Sequence, residues 1–172
     1  MPTTSPFANL YLKLVDRLTA EVPELRYIDQ DYGQLENYTL RPPVSFPCLL
    51  IEMGDFDFED MGGTQMQTAS GLLLMRLAGE AWSASNNLST GQIMEKALEY
   101  YDLEQKIYVA LHGWRAEGFS RLLRRKAVKE QRDDTNVRVR VLAYEWGFQD
   151  DTASPVKVAI ARPEPIIVTD II

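Results

Sequence analysis

The chain of 172 residues contains 18 basic and 25 acidic residues, which gives a formal net charge of −7. A chain of this length is typical of one domain, whose core needs neither a disulfide nor a metal ion. The single cysteine, Cys48, excludes a disulfide within the chain. The acidic balance argues against a general attraction to nucleic acid phosphates, and a hydrophobic content of 45% argues against disorder.

Neither a secretory leader nor a membrane span is expected. Residues 1–6 lack a basic region followed by an apolar stretch. Uncharged apolar runs such as Leu72–Met75 are far shorter than the roughly 20 residues that a membrane helix needs.

The first predicted element is an amphipathic helix. Ser5 can cap it, and Pro6 stands in the first turn, where proline is tolerated. Apolar residues recur at helical spacing between Phe7 and Leu18. The helix should end before Pro23, because proline disfavours helical geometry in the preceding residue.

Strands are predicted next. Residues 25–28 are compatible with a short strand, and residues 47–52 follow a proline with a buried, apolar run. Residues 55–60 alternate acidic with aromatic side chains, and residues 65–78 form a second long strand. Residues 47–78 are therefore expected to be an antiparallel pair with a loose, acidic connection.

A central helix is predicted from Asp102 to His112. Asp102 can cap it, with Gln105 completing a capping box, and Gly113 is suited to end it. Residues 90–101 also show helical spacing, and the sequence leaves open whether they extend this helix or form a separate piece.

A hairpin and an extended tail complete the chain. Residues 122–131 and 137–148 have strand character, and the polar residues between them have turn chemistry. We predict an α+β domain over residues 1–150, in which two helices pack on a mainly antiparallel sheet of about four to five strands. Residues 151–172 form a C-terminal extension with strand-like segments, which could pack on its own sheet or add a strand to a neighbouring subunit.

Few residues suited to catalysis are present. His112, the one histidine, is expected in the last turn of the central helix, where a cation suits the helix dipole. Cys48 lies in an apolar strand, which makes a thiol inert. Phosphate-binding glycine loops are absent from the sequence. The sequence therefore predicts no enzyme and no cofactor.

Two charged segments are the candidate functional sites. The acidic one is expected to be a loop that faces a partner or a lumen; alternatively it blocks unwanted strand pairing, or binds a metal ion or a small molecule. Its members are Asp55, Asp57, Glu59 and Asp60. The basic one is expected at a subunit interface, with a solvated strand face and a grip on nucleic acid as the alternatives. Its members are Arg121, Arg124, Arg125, Lys126, Arg138 and Arg140. Opposite patches on one subunit favour head-to-tail association.

The order of elements over residues 5–150 resembles that of the tail terminator, or tail completion, proteins of long-tailed bacteriophages. The resemblance is carried by the helix Phe7–Leu18, the strand Phe46–Glu52, the helix Asp102–Leu111 ending at Gly113-Trp114, the segment Phe119–Leu122, and the hairpin closing on Tyr144–Phe148.

This resemblance implies a non-catalytic subunit that forms a ring, commonly a hexamer, at the head-proximal end of the tail. Its partners would be further copies of itself, the tail tube protein and the head-tail connector, with no specific nucleic acid and no membrane. The protein would then be found in the cytoplasm of a bacterial host and afterwards in the virion tail. A small-molecule- or metal-binding module that uses residues 55–60 is the alternative function.

Overall fold

The computed structural model describes residues 5–36, 44–62, 65–80, 86, 88, 90–130 and 137–154. The elements in chain order are helix α1 (Pro6–Glu21), strand β1 (Tyr27–Gln30), strand β2 (Cys48–Asp60), strand β3 (Gln67–Glu80), helix α2 (Gly91–Leu111), strand β4 (Leu123–Lys129) and strand β5 (Val137–Asp150). This confirms the α+β class. The strand-like segments predicted after residue 154 lie outside the described residues.

The five strands form one mixed sheet in the order β1-β2-β3-β5-β4. β1 runs parallel to β2, whereas the β2–β3, β3–β5 and β5–β4 pairs are antiparallel. The predicted antiparallel pair of residues 47–78 and the predicted hairpin of residues 122–148 are therefore confirmed. The short first strand is shifted by two residues from its predicted place.

Both helices cover the same face of the sheet. α1 begins as predicted, because the Ser5 hydroxyl accepts a hydrogen bond from the Ala8 amide and Pro6 fills the first turn. α2 is one continuous helix, so residues 91–101 extend the predicted element. It ends at the C-cap His112, and Gly113 then takes a positive φ of 79°, which only glycine adopts without strain.

The main core lies between the helices and this face. Leu10, Leu14 and Leu18 of α1 are fully buried, as is Ile107 of α2. Trp146 of β5 is buried within an aromatic cluster and packs edge-to-face against Phe7 and Phe56.

A smaller apolar cluster lies on the other face of the sheet and contains Leu35, Cys48, Leu50, Ala78 and Val139. Residues 31–36 cover this end of that face. The far end of the sheet, where β2 and β3 continue beyond β1, extends past this cover.

Candidate assembly surfaces

The acidic residues lie along one edge of the sheet. β1 pairs only with Cys48–Ile51, so β2 beyond Ile51 has no strand on its outer side within the described residues. The expectation of an acidic loop is wrong, because Phe56–Asp60 pair regularly with Gly71–Gln67 of β3. Their alternation of acid and aromatic, which has the period of a strand, explains the difference. All four acidic side chains, at positions 55, 57, 59 and 60, are exposed.

The outer half of β2 is displaced by a bulge between Met53 and Phe56. The bulge brings the two backbones together at Gly71, where an added Cβ would lie 2.3 Å from the carbonyl oxygen of Asp55 and 2.6 Å from the Phe56 ring. After the bulge, Phe56 points into the aromatic cluster. Asp57 and Glu59 then fall on the face away from the helices, opposite Ser70 and Thr68.

The basic segment forms the opposite edge of the sheet. β4 pairs with β5 on one side and has no strand on its other side among the described residues. Arg121, Arg125, Lys126 and Lys129 are exposed along this edge. Arg125 forms a surface ion pair of 2.6 Å with Glu145 of β5. Solvent screens this pair.

Two of the residues predicted at an interface make hydrogen bonds within the subunit. The Glu104 carboxylate of α2 is 6% exposed and accepts hydrogen bonds from Arg140 Nε at 2.8 Å and Nη2 at 3.2 Å. Arg124 also donates to it and lies over the Tyr108 ring. The hydrogen bond with Glu104 raises the pKa of Arg140 above its ordinary value. These two arginines therefore bind α2 to the sheet.

Arg138 is also turned towards the helix. Its guanidinium carbon lies 5.5 Å from the ring centre of Tyr100 and 5.9 Å from that of Tyr101. The six predicted basic residues thus fall into two groups. The exposed group lies on β4 or just before it and consists of Arg121, Arg125 and Lys126. The other group packs against α2 and consists of Arg124, Arg138 and Arg140.

Arg76 is a structural residue that sequence analysis missed. It lies on β3 and donates to Glu130 at 2.9 and 2.7 Å, to Asp31 at 3.0 Å, and to Glu36. Burial alone would lower the pKa of Arg76, but the hydrogen bonds with these three carboxylates raise it. The group ties the segment after β1 and the end of β4 to the sheet. Its one sequence indication is a lone charge within the apolar run of residues 72–77.

The single cysteine and the single histidine are both held by contacts within the fold. Cys48 is fully buried, and burial raises the pKa of its thiol to about 12. His112 stacks on Tyr108 at a ring distance of 4.8 Å, and its Nδ1 accepts a hydrogen bond from the Arg124 amide at 3.1 Å. These two contacts hold the imidazole against the end of α2.

The carboxylates of the acidic edge are divided between the two faces of the sheet. Asp57 and Glu59 project from one face of β2 and Asp60 from the other. No group of three or more potential metal ligands occurs in the part of the chain that the structure describes. Nor does any helix among those residues have the length and apolar character needed to cross a membrane.

No protein-family model and no curated protein matches this chain. Among solved structures, it is similar to a chain from the virion of a native gene transfer agent particle. The TM-score is 0.49 and the sequence identity 13%, over 81% of this chain and 94% of that one.

Proposed function

We propose that this chain is a structural assembly protein of a phage or prophage tail, which forms a ring at the head-proximal end of the tail tube and joins it to the head connector. The observation that carries this proposal is that the two opposite edges of the sheet are exposed and carry opposite charge. The outer half of β2 is acidic, whereas β4 is basic.

Each copy therefore presents two different but complementary surfaces. When the basic edge of one copy binds the acidic edge of the next, the contact is head-to-tail, and such contacts close into a ring or continue into a fibre. Contacts between two acidic or two basic edges bring like charges together, which disfavours a symmetric dimer through either edge.

The resemblance of residues 5–150 to tail terminators supports the place of this ring in a tail. The features that carry the resemblance correspond to α1, the start of β2, the second half of α2 and the β4–β5 hairpin. A net charge of −7 per copy also suits a ring around a DNA path, since an acidic lumen repels phosphates and lets DNA pass without sticking.

Deletion of the gene from the genome that encodes this chain tests the proposed function. We expect induced particles to have tails of uncontrolled length that are not attached to heads, as seen by negative-stain electron microscopy. A wild-type copy supplied in trans should restore normal particles, and Lys126→Glu, on the basic edge, should not.

Lys96→Glu is the matched control, because it makes the same charge change at an exposed position of α2, away from both edges. It should restore normal particles. Tails of normal length with attached heads in the deletion strain would refute the proposed function.

A further inference from the structure

The free part of β2 is a regular strand edge. On its inner side, Phe56–Asp60 pair with β3 in unbroken antiparallel register. On the outer side, their backbone groups have no strand partner among the described residues. An edge of this kind is a template for another strand, unless charge or shape prevents it.

β4 offers a matching strand at the other end of the sheet. Lys126–Lys129 pair with β5 in regular register after a bulge between Arg124 and Lys126, and their outer side is likewise unpartnered by the described residues. Both edges carry charge, which protects each of them from pairing with its own kind. The protection is lost when the acidic edge meets the basic edge.

We propose that β4 of one copy adds to the free part of β2 of the next copy, so that the sheet continues from subunit to subunit. This inference rests on the proposed function and names the contact that builds the ring. The partner is a second copy of this chain, and the recognition is by backbone pairing as well as by charge.

Strand direction supports this contact. The three antiparallel pairs from β2 to β4 make β4 run opposite to β2 within one subunit. Copies that share one orientation, as they do around a ring axis, therefore bring β4 against β2 in antiparallel direction. No copy has to be inverted to form the contact.

Side-chain alternation and charge pairing together select one register. Lys126 and Val128 lie on the face away from the helices, as do Asp57 and Glu59. Pairing Lys126 with Glu59 places Val128 opposite Asp57 and leaves Lys126 within diagonal reach of it. On the helix face, this register sets Ala127 of one copy beside Phe58 of the next.

That register covers an exposed aromatic side chain. Phe58 is 48% exposed in the single subunit, although it lies 6.5 Å from the Phe148 ring. A strand added to β2 extends the apolar surface against which Phe58 packs. The contact thus combines charge neutralisation with burial of apolar area, which is the common composition of a stable interface.

The register also predicts how the subunits are tilted. Residues 126–129 lie at the level of residues 143–140 of β5, and residues 56–59 at the level of residues 146–149. This is a stagger of about 20 Å over a repeat of four strands, about 19 Å wide. A closed ring would then have strands tilted by about 45°, near the range of closed barrels.

Cysteine cross-linking in the complemented deletion strain tests the strand addition. A chain with Val128→Cys and Asp57→Cys should form disulfide-linked ladders on a non-reducing gel, because opposed residues lie within the reach of a disulfide. Buried Cys48 adds no background. In the matched control, Phe58→Cys replaces Asp57→Cys, and no ladder is expected, because the two thiols then point to opposite faces.

Charge exchange gives a second test. Lys126→Glu and Glu59→Lys should each reduce the ladder at least tenfold, and the two changes together should restore it. Disulfide-linked dimers from Val128→Cys alone would show that like edges meet and would overturn the proposal. Normal, complementation-dependent particles without any ladder would refute the strand addition and leave the proposed function standing, whereas a deletion without phenotype would refute the function.

Discussion

Replacement of Glu104, a buried charge between α2 and the sheet, should strongly destabilise the subunit. Its carboxylate is almost fully buried and receives three hydrogen bonds from Arg124 and Arg140. Removing one partner of a buried ion pair costs about 3–5 kcal/mol, since it leaves a charge without compensation. The two arginine side chains retain 20% and 24% exposure, and glutamine keeps one acceptor oxygen. We therefore expect Glu104→Gln to lower the free energy of unfolding by about 2–3 kcal/mol.

Urea and thermal unfolding, followed by circular dichroism, would measure this loss. For a chain of this size, the expected change in Tm is a decrease of roughly 4–12 °C. Glu24→Gln is the control, because it removes a carboxylate that pairs with Lys106 on the exposed surface. It should leave the unfolding curve unchanged within error.

A double-mutant cycle with Arg140→Gln would separate the pairing from other effects of the change. The Glu104→Gln and Arg140→Gln losses should be far from additive, because both remove the same contact. Equal unfolding curves for Glu104→Gln and Glu24→Gln would show that the buried carboxylate does not hold α2 on the sheet.

Three further predictions concern the core. Gly71→Ala should destabilise the subunit by about 2–3 kcal/mol in urea unfolding, because its Cβ would overlap the Asp55 carbonyl oxygen, whereas Gly91→Ala, with open space around it, should not. The Cys48 thiol should resist a thiol reagent at pH 8 until the chain unfolds. Burial raises the pKa of this thiol from 9.0 to about 12. The stability that the neutral, buried thiol contributes is therefore complete below pH 9 and is lost as the pH rises towards 12. Unfolding measured at graded pH would show this loss. Tyr144→Phe should keep or raise the Tm, since the Tyr144 hydroxyl is buried without a hydrogen-bond partner among the described residues.

Helices and strands whose signals lie in neighbouring residues could be predicted from the sequence. α1 begins at Ser5 and Pro6, because capping depends on neighbouring residues alone. The β4–β5 hairpin has arms with an alternating sequence pattern, and its two strands are close in sequence. The start of α2 was harder, because Asp102 is a good capping residue within a longer helix. Tertiary packing of Ala97 and the hydrogen bond from Tyr100 to the Leu77 carbonyl support the helix across that point.

Contacts between distant residues could not be predicted in the same way. The parallel pairing of β1 with β2 joins segments that are separated by residues 31–47, and no local pattern specifies it. The basic segment shows the same difficulty. Its charges are evident in the sequence, but the engagement of Arg124 and Arg140 depends on Glu104, which lies 20 and 36 residues earlier.

This division of the basic residues separates folding from assembly. Arg124 and Arg140 neutralise a buried carboxylate, so a change at either alters the stability of the subunit whether or not it meets a partner. Lys126 is exposed on the edge of the sheet, so a change there leaves the fold intact and alters only what the edge can bind. Loss of assembly after charge reversal at Arg124 would therefore not identify an interface, whereas the same loss at Lys126, with an unchanged Tm, would.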